Sequence, residues 1–199
     1  MRHIKKFYEE LNIPKSGIKG QNIIKKSPFN YNIYLAGPDV FRKNALSRLN
    51  SLKRMSGYYG HTGMMPFDNK VEVSPSDSKT DIGSKIFFAN VGLMDKADVI
   101  IANLEPYRGP GVDDGTAFEI GYGYAKGLRI YGYTQLMDKE LKDITTMMFD
   151  LNKQKRYTEL EDFGNTCNLM LSDSIKYSGG LIFKTLEECL IHLNQNPIK

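Results

Sequence analysis

Cysteine is nearly absent from this 199-residue chain: only Cys167 and Cys189 occur, in neither a CxxC nor a ligand-like spacing. Neither a disulfide framework nor a zinc site is expected from that usage. The three histidines, His3, His61 and His192, stand apart with no pair at ligand spacing, so no metal is expected either. No eighteen-residue apolar stretch occurs, and the basic N-terminus is not followed by an apolar run of the kind a signal peptide needs. The chain is therefore read as neither membrane-bound nor secreted, with the cytoplasm as its expected location. A GxSxG elbow, a GxGxxG turn and a Walker-type lysine are all missing, which removes the usual hydrolase serine, dinucleotide site and nucleoside triphosphate site. No cofactor is expected. Acid and base work, if any is done, falls to carboxylates.

What is present fits one good-sized domain, since 41% of the residues are hydrophobic and the length suffices to bury a substantial core. The formal charge of +4 is unevenly spread: residues 1–30 hold seven Lys and Arg against two Glu, and residues 31–199 hold twenty against twenty-one acids. A nearly neutral body argues against nucleic acid as a partner. Residues 1–30 read as a basic extension with turn chemistry at Pro14 to Gly20, and residues 31–199 as the functional domain.

From Tyr31 the pattern becomes an alternation. Tyr31 to Ala36 is a β-favouring run ending in Gly37-Pro38, and a helical pattern follows from about Val40 to Met55. His61 to Met65 reads as a short strand before Pro66 to Asn69, and Asp81 to Lys96 as a helix running into Ala97 to Asn103. The unbroken Val99-Ile100-Ile101 is the mark of a strand buried on both faces. Residues 113 to 127 read as a helix closed by Gly127, Leu128 to Tyr133 as a strand, and Gly180 to Asn194 as a last strand and helix. This order predicts an α/β fold: a Rossmann-like, flavodoxin-like domain with a mostly parallel five-stranded sheet and helices on both faces. Ligands of such folds bind beyond the carboxyl ends of the strands.

Two local features invite opposed readings. Gly37-Pro38 lets a backbone approach a ligand at a strand end, yet glycine-proline is also ordinary turn punctuation. In Asp113 to Glu119, either aspartate suits a helix N-terminus, and Thr116-x-x-Glu119 matches a capping box. Alternatively, Glu119 is a carboxylate near the ligand edge, set among Ala117, Phe118, Ile120 and Gly121, where it suits nucleophilic attack on a sugar carbon. Local sequence leaves both open.

Taken together, Tyr34-Leu-Ala-Gly-Pro with Phe41, Met65-Pro-Phe-Asp-Asn69, Ile100-Ile-Ala-Asn-Leu104 with Arg108-Gly109, Asp113-x-Gly-Thr-Ala-Phe-Glu-Ile-Gly121 and Cys167-Asn-Leu-Met170 resemble the nucleoside 2-deoxyribosyltransferase family over residues 31 to 195. The wording is closest to the branch found in protozoan parasites, which includes nucleoside hydrolases as well as transferases. The resemblance implies that Glu119 is the nucleophile, attacking the anomeric carbon of a 2′-deoxynucleoside to form a covalent deoxyribosyl-enzyme, which a second nucleobase or water then opens with net retention. It implies further that Tyr34 positions that carboxylate, that Asp113 binds a sugar hydroxyl, and that Asn168 reaches into a neighbouring subunit's site, so that the active unit is at least a homodimer. Gly37, Pro38, Phe41, Asp68, Gly115 and Met170 fall at substrate-binding positions.

Asn90 departs from the pattern, because it stands where many bacterial members carry the aspartate that protonates the leaving base, and an amide lacks that proton. Asp68 is the substitute acid to test. Asp113 also discriminates: a carboxylate repels a 5′-phosphate and accepts from a hydroxyl, so nucleosides are expected over nucleotides. The expected function is nucleoside salvage. The alternatives are a 2′-deoxynucleoside 5′-monophosphate N-hydrolase and a non-catalytic nucleotide-binding module of the same fold.

Overall fold

Branched apolar residues cluster in the central strand Val99–Asn103, and in the computed structural model, which describes residues 28–150 and 159–198, five strands assemble into one sheet. The strands are β1 (Asn32–Ala36), β2 (Thr62–Met64), β3 (Val99–Asn103), β4 (Arg129–Tyr133) and β5 (Ile182–Phe183). All pairings are parallel and the order is β2-β1-β3-β4-β5. Every residue of β3 is buried, as an unbroken apolar run at the centre of a covered parallel sheet requires. The helices are α1 (Ala45–Tyr58), α2 (Lys79–Met94), α3 (Asp114–Ala125), α4 (Leu141–Met148), α5 (Leu169–Tyr177) and α6 (Leu186–Gln195).

Alternation along the strands divides the interior into two layers. Ile33, Leu35, Val99, Ile101, Tyr131 and Tyr133 face α1 and α6, where Leu49, Leu52, Leu190 and Leu193 pack against them. Tyr34, Ala36, Ile100, Ala102 and Ile130 face α2, α3 and α5, meeting Met94, Ile120 and Ile175. The two buried cysteines fall one in each layer. His61 is a core residue, its ring bonded to the Tyr31 amide at 3.3 Å and the Asn194 side chain at 2.7 Å.

The expected helix from Val40 to Met55 is two elements instead. A 3-10 turn at Pro38–Phe41 comes first, and α1 begins only at Ala45. The helix is interrupted at Arg42, whose backbone is extended, while Asp39 just before it turns inward and accepts from Arg42 and Arg48. The helices α4 and α5, absent from the sequence-based expectation, fill the connection between β4 and β5.

The chain direction across the sheet reverses between β1 and β3, and their carboxyl ends nearly touch there. Gly37 follows β1 with φ +151, and a Cβ built on it would lie 2.7 Å from the Cβ of Asn103 at the end of β3. Only glycine fits that approach. The reversal is where a doubly wound sheet opens a crevice for ligands. No described helix is long and apolar enough to cross a membrane.

Candidate active site

Two layers of packing bring Tyr34 and Glu119 together. Tyr34 is the third residue of β1, fully buried, its ring directed at α3 by the strand's alternation. On α3, Glu119 and Gly123 share a helix face four residues apart. A side chain at Gly123 would place its Cβ 2.4 Å from Cδ1 of Ile100, so glycine there lets α3 lie low on the sheet. Glu119 then comes within reach, and the Tyr34 hydroxyl donates to its Oε1 at 2.5 Å.

This contact excludes one part of the capping reading of Asp113 to Glu119 and leaves the cap to an aspartate. The N-cap of α3 is Asp113, whose Oδ2 accepts from the Thr116 amide at 3.1 Å and the Thr116 hydroxyl at 3.2 Å. Thr116 is therefore inside the helix, and the Thr116–Glu119 capping box does not form: Glu119 is turned to β1. Gly115 leaves space for the cap, since a Cβ there would stand 3.1 Å from that same carboxylate oxygen.

The electrostatics follow from the packing. Burial pushes the Glu119 carboxyl up from 4.5 to about 7, and the nearby charge of Asp113 adds to the rise, while the Tyr34 hydrogen bond opposes it. Burial, with the charge of Glu119 behind it, holds the Tyr34 hydroxyl well above the ordinary tyrosine range, so it remains a proton-bearing donor. A carboxylate with one short neutral donor and few competing partners keeps its nucleophilic lone pairs available.

Several of the remaining predicted residues have partners of their own. Asn69 donates to the Ala89 carbonyl at 2.6 Å, which fastens the Pro66–Asp68 turn to α2 beside Asn90. The Asn90 Oδ1 is buried without a hydrogen-bond partner among the described residues. Asp68 is already engaged at both oxygens, by Lys53 Nζ at 2.6 Å and by the Met65 amide at 3.0 Å.

Asn168 caps α5 through the Met170 amide at 3.0 Å and donates to Glu161 Oε2 at 2.6 Å, while Glu161 Oε1 accepts from the Leu169 amide at 2.5 Å. Asn168 and Met170 are exposed on the α3–α5 side. Pro38 and Phe41 lie elsewhere: they line a cavity of about 630 Å³ on the α1 and α6 side, which does not include Tyr34, Asp113 or Glu119. Sequence reasoning missed Glu161, for which no local pattern stands out, and also Asp39, whose only signal was its place beside Gly37-Pro38.

A family model described as nucleoside 2-deoxyribosyltransferase matches residues 33–170, a span that holds Tyr34, Asn90, Asp113, Glu119 and Asn168. The chain belongs to the nucleoside 2-deoxyribosyltransferase family. An uncharacterised protein of Schizosaccharomyces pombe is 30% identical over 167 residues, 75% of this chain and 79% of that one. Among solved structures, a 2-desoxiribosyltransferase from Leishmania mexicana shares 25% identity at a TM-score of 0.63, covering 84% of this chain and 99% of that one. A conserved protein from Enterococcus faecalis V583, 22% identical at a TM-score of 0.55 over 85% of this chain and 100% of that one, shares the fold. This deoxyribosyltransferase-family chain is thus a glycosyl-transferring enzyme on a five-stranded all-parallel sheet with helices on both faces.

Proposed function

We propose that residues 31–199 cleave the N-glycosidic bond of 2′-deoxynucleosides through a deoxyribosyl-Glu119 intermediate and pass the sugar to another nucleobase or to water, a salvage reaction. The contact between Tyr34 and Glu119 carries this reading. The Glu119 carboxylate attacks the anomeric carbon, and the base departs with the bonding electron pair. An incoming base attacks the same carbon from the original face and returns the carboxylate, so configuration is retained. Tyr34 fixes the attacking oxygen, and the unpartnered Asn90 Oδ1 accepts from an N–H or amino group on the edge of the base. Asp113, anchored by its capping bonds, takes a sugar hydroxyl and repels a 5′-phosphate, which favours nucleosides over the 5′-monophosphate.

The active unit in this reading is at least a dimer. Phe87, Phe88 and Phe118 are 47%, 70% and 48% exposed, and Phe118 adjoins Glu119 in sequence. Phe87 packs on Phe118 with ring centroids 5.8 Å apart, and Phe118 on Tyr122 at 6.1 Å, making one continuous apolar face of α2 and α3. A second copy covering this face would bring its Asn168 and Met170 to the sugar.

Incubation with a 2-fluoro-2-deoxynucleoside should add one sugar mass to the wild-type chain and none to Glu119→Ala; an equal adduct on the variant would sink the reading. Deoxyinosine with adenine, then deoxyinosine alone, separates the outcomes: deoxyadenosine in the first mixture only marks transfer, and hypoxanthine in both marks hydrolysis. A fully active monomer would overturn the shared site.

A further inference from the structure

The cavity on the α1 and α6 side is built on charge. Asp39, only 2% exposed, sits beneath it and gathers three donors: Arg42 Nε at 2.5 Å and Arg48 Nε at 3.3 Å on Oδ1, and Asn103 Nδ2 at 2.9 Å on Oδ2. A buried carboxylate of this kind persists only when it is paired and bonded, so the two arginines are held in place from behind. Arg42 and Arg48 both line the cavity, and so does Lys184, whose Nζ is paired with Asp138 at 2.5 Å. Held at Nε, a guanidinium still carries terminal N–H groups, and planar forks of that type suit a phosphate.

The rim supplies a flat surface. Phe41 and Tyr107 stack with centroids 5.4 Å apart, and the Arg108 guanidinium lies 4.8 Å from the Tyr107 ring centre. The Tyr107 hydroxyl is buried and has no hydrogen-bond partner among the described residues, although it belongs to a residue lining the cavity. A buried hydroxyl left unpaired is costly, and a ligand atom would satisfy it. Two carboxylates also line the space: Glu187, which accepts from the Tyr59 hydroxyl at 2.7 Å, and Glu105, which accepts from the Gln135 amide at 2.7 Å. Carboxylates accept from hydroxyl or amino groups, not from anions.

A phosphate for the arginines, a planar ring for the aromatic rim and hydroxyl donors for the carboxylates occur together in one class of molecule. The geometry points to a nucleoside 5′-monophosphate bound in this cavity, on the opposite face of the sheet from Glu119. The volume of about 630 Å³ lies within the range of small-molecule sites. The inference does not depend on the reaction proposed above.

Calorimetric titration of the full chain with AMP tests it. Saturable binding is expected, weakened about tenfold or more for adenosine and for inorganic phosphate, because each supplies half of the recognition. Tyr107→Phe removes only the unpaired hydroxyl and should weaken AMP about fivefold without harming the fold. Arg42→Lys keeps the charge that compensates Asp39 but loses the fork, and should weaken AMP while adenosine binding stays as it was. Glu119→Ala should bind AMP as wild type does. The inference is overturned if AMP gives no saturable heat at millimolar concentration, if Tyr107→Phe and Arg42→Lys both bind it unchanged, or if deoxyinosine or Glu119→Ala displaces or abolishes it.

Discussion

Two inward-turned carboxylates, one on each side of the sheet, are treated in opposite ways. Asp39, on the α1 and α6 side, is surrounded by two guanidinium groups and an amide. Glu119, on the α2 and α3 side, has a neutral phenol for a partner and the like charge of Asp113 nearby. The first arrangement satisfies a charge and makes it part of the architecture. The second leaves a charge under-compensated, and groups perturbed in that way cluster at functional sites. Burial alone therefore does not separate structural from chemical carboxylates; the sign and completeness of their company does.

The comparison breaks most severely at Glu119 itself. Glu119→Ala should lower the transfer rate by about 10⁴-fold or more, as removal of a covalent nucleophile does, measured as base exchange under saturating deoxynucleoside. Asp39→Ala should act on stability instead, costing about 3–5 kcal/mol in chemical denaturation because Arg42, Arg48 and Asn103 lose their common acceptor.

Next in size is a gain in stability. Between the ordinary 4.5 and about 7, folded Glu119 keeps a proton that the unfolded chain has released, so its contribution is full below 4.5 and is lost as pH rises through 7. Glu119→Gln should then raise the melting temperature by about 2–4 °C at pH 8, and the gain should vanish near pH 5. Smaller still are shifts in the acid limb of the kcat/KM profile. Tyr34→Phe removes the bond that favours the ionised carboxylate and moves the limb to higher pH; Asp113→Asn keeps the cap, removes the like charge and moves it lower. The least effect is expected from Asp68→Asn, because Lys53 and the Met65 amide already occupy both oxygens. Its rate should fall far less than the 10²–10⁴-fold typical of a lost general acid.

The architecture was largely legible in the chain. Unbroken Val99 to Ile101 announced a central strand, and Gly127 marked the end of the third helix, because both depend on local pattern. The helices α4 and α5 went unread although each has an apolar side, with Ile144 and Ile175 buried; at eight and nine residues they are too short for the pattern to repeat often. Glu119 was legible as a candidate through its neighbours, yet its release from the capping box was not: that required knowing that Asp113 caps the helix and that Gly123 lowers α3 onto Ile100. The cavity was invisible because its charged floor joins residues 39, 42, 48 and 103, which only tertiary folding assembles.

Glu161 bears on what association would cost. A side chain that must become fixed when two subunits meet loses rotational freedom at that moment, and the loss is subtracted from the affinity. Asn168 has already surrendered that freedom within its own chain: its amide nitrogen is tied to Glu161 and its oxygen to the start of α5. In the proposed dimer, an arm set in advance would meet the partner with less rotational freedom left to lose, so a modest apolar face could suffice to hold the two copies together.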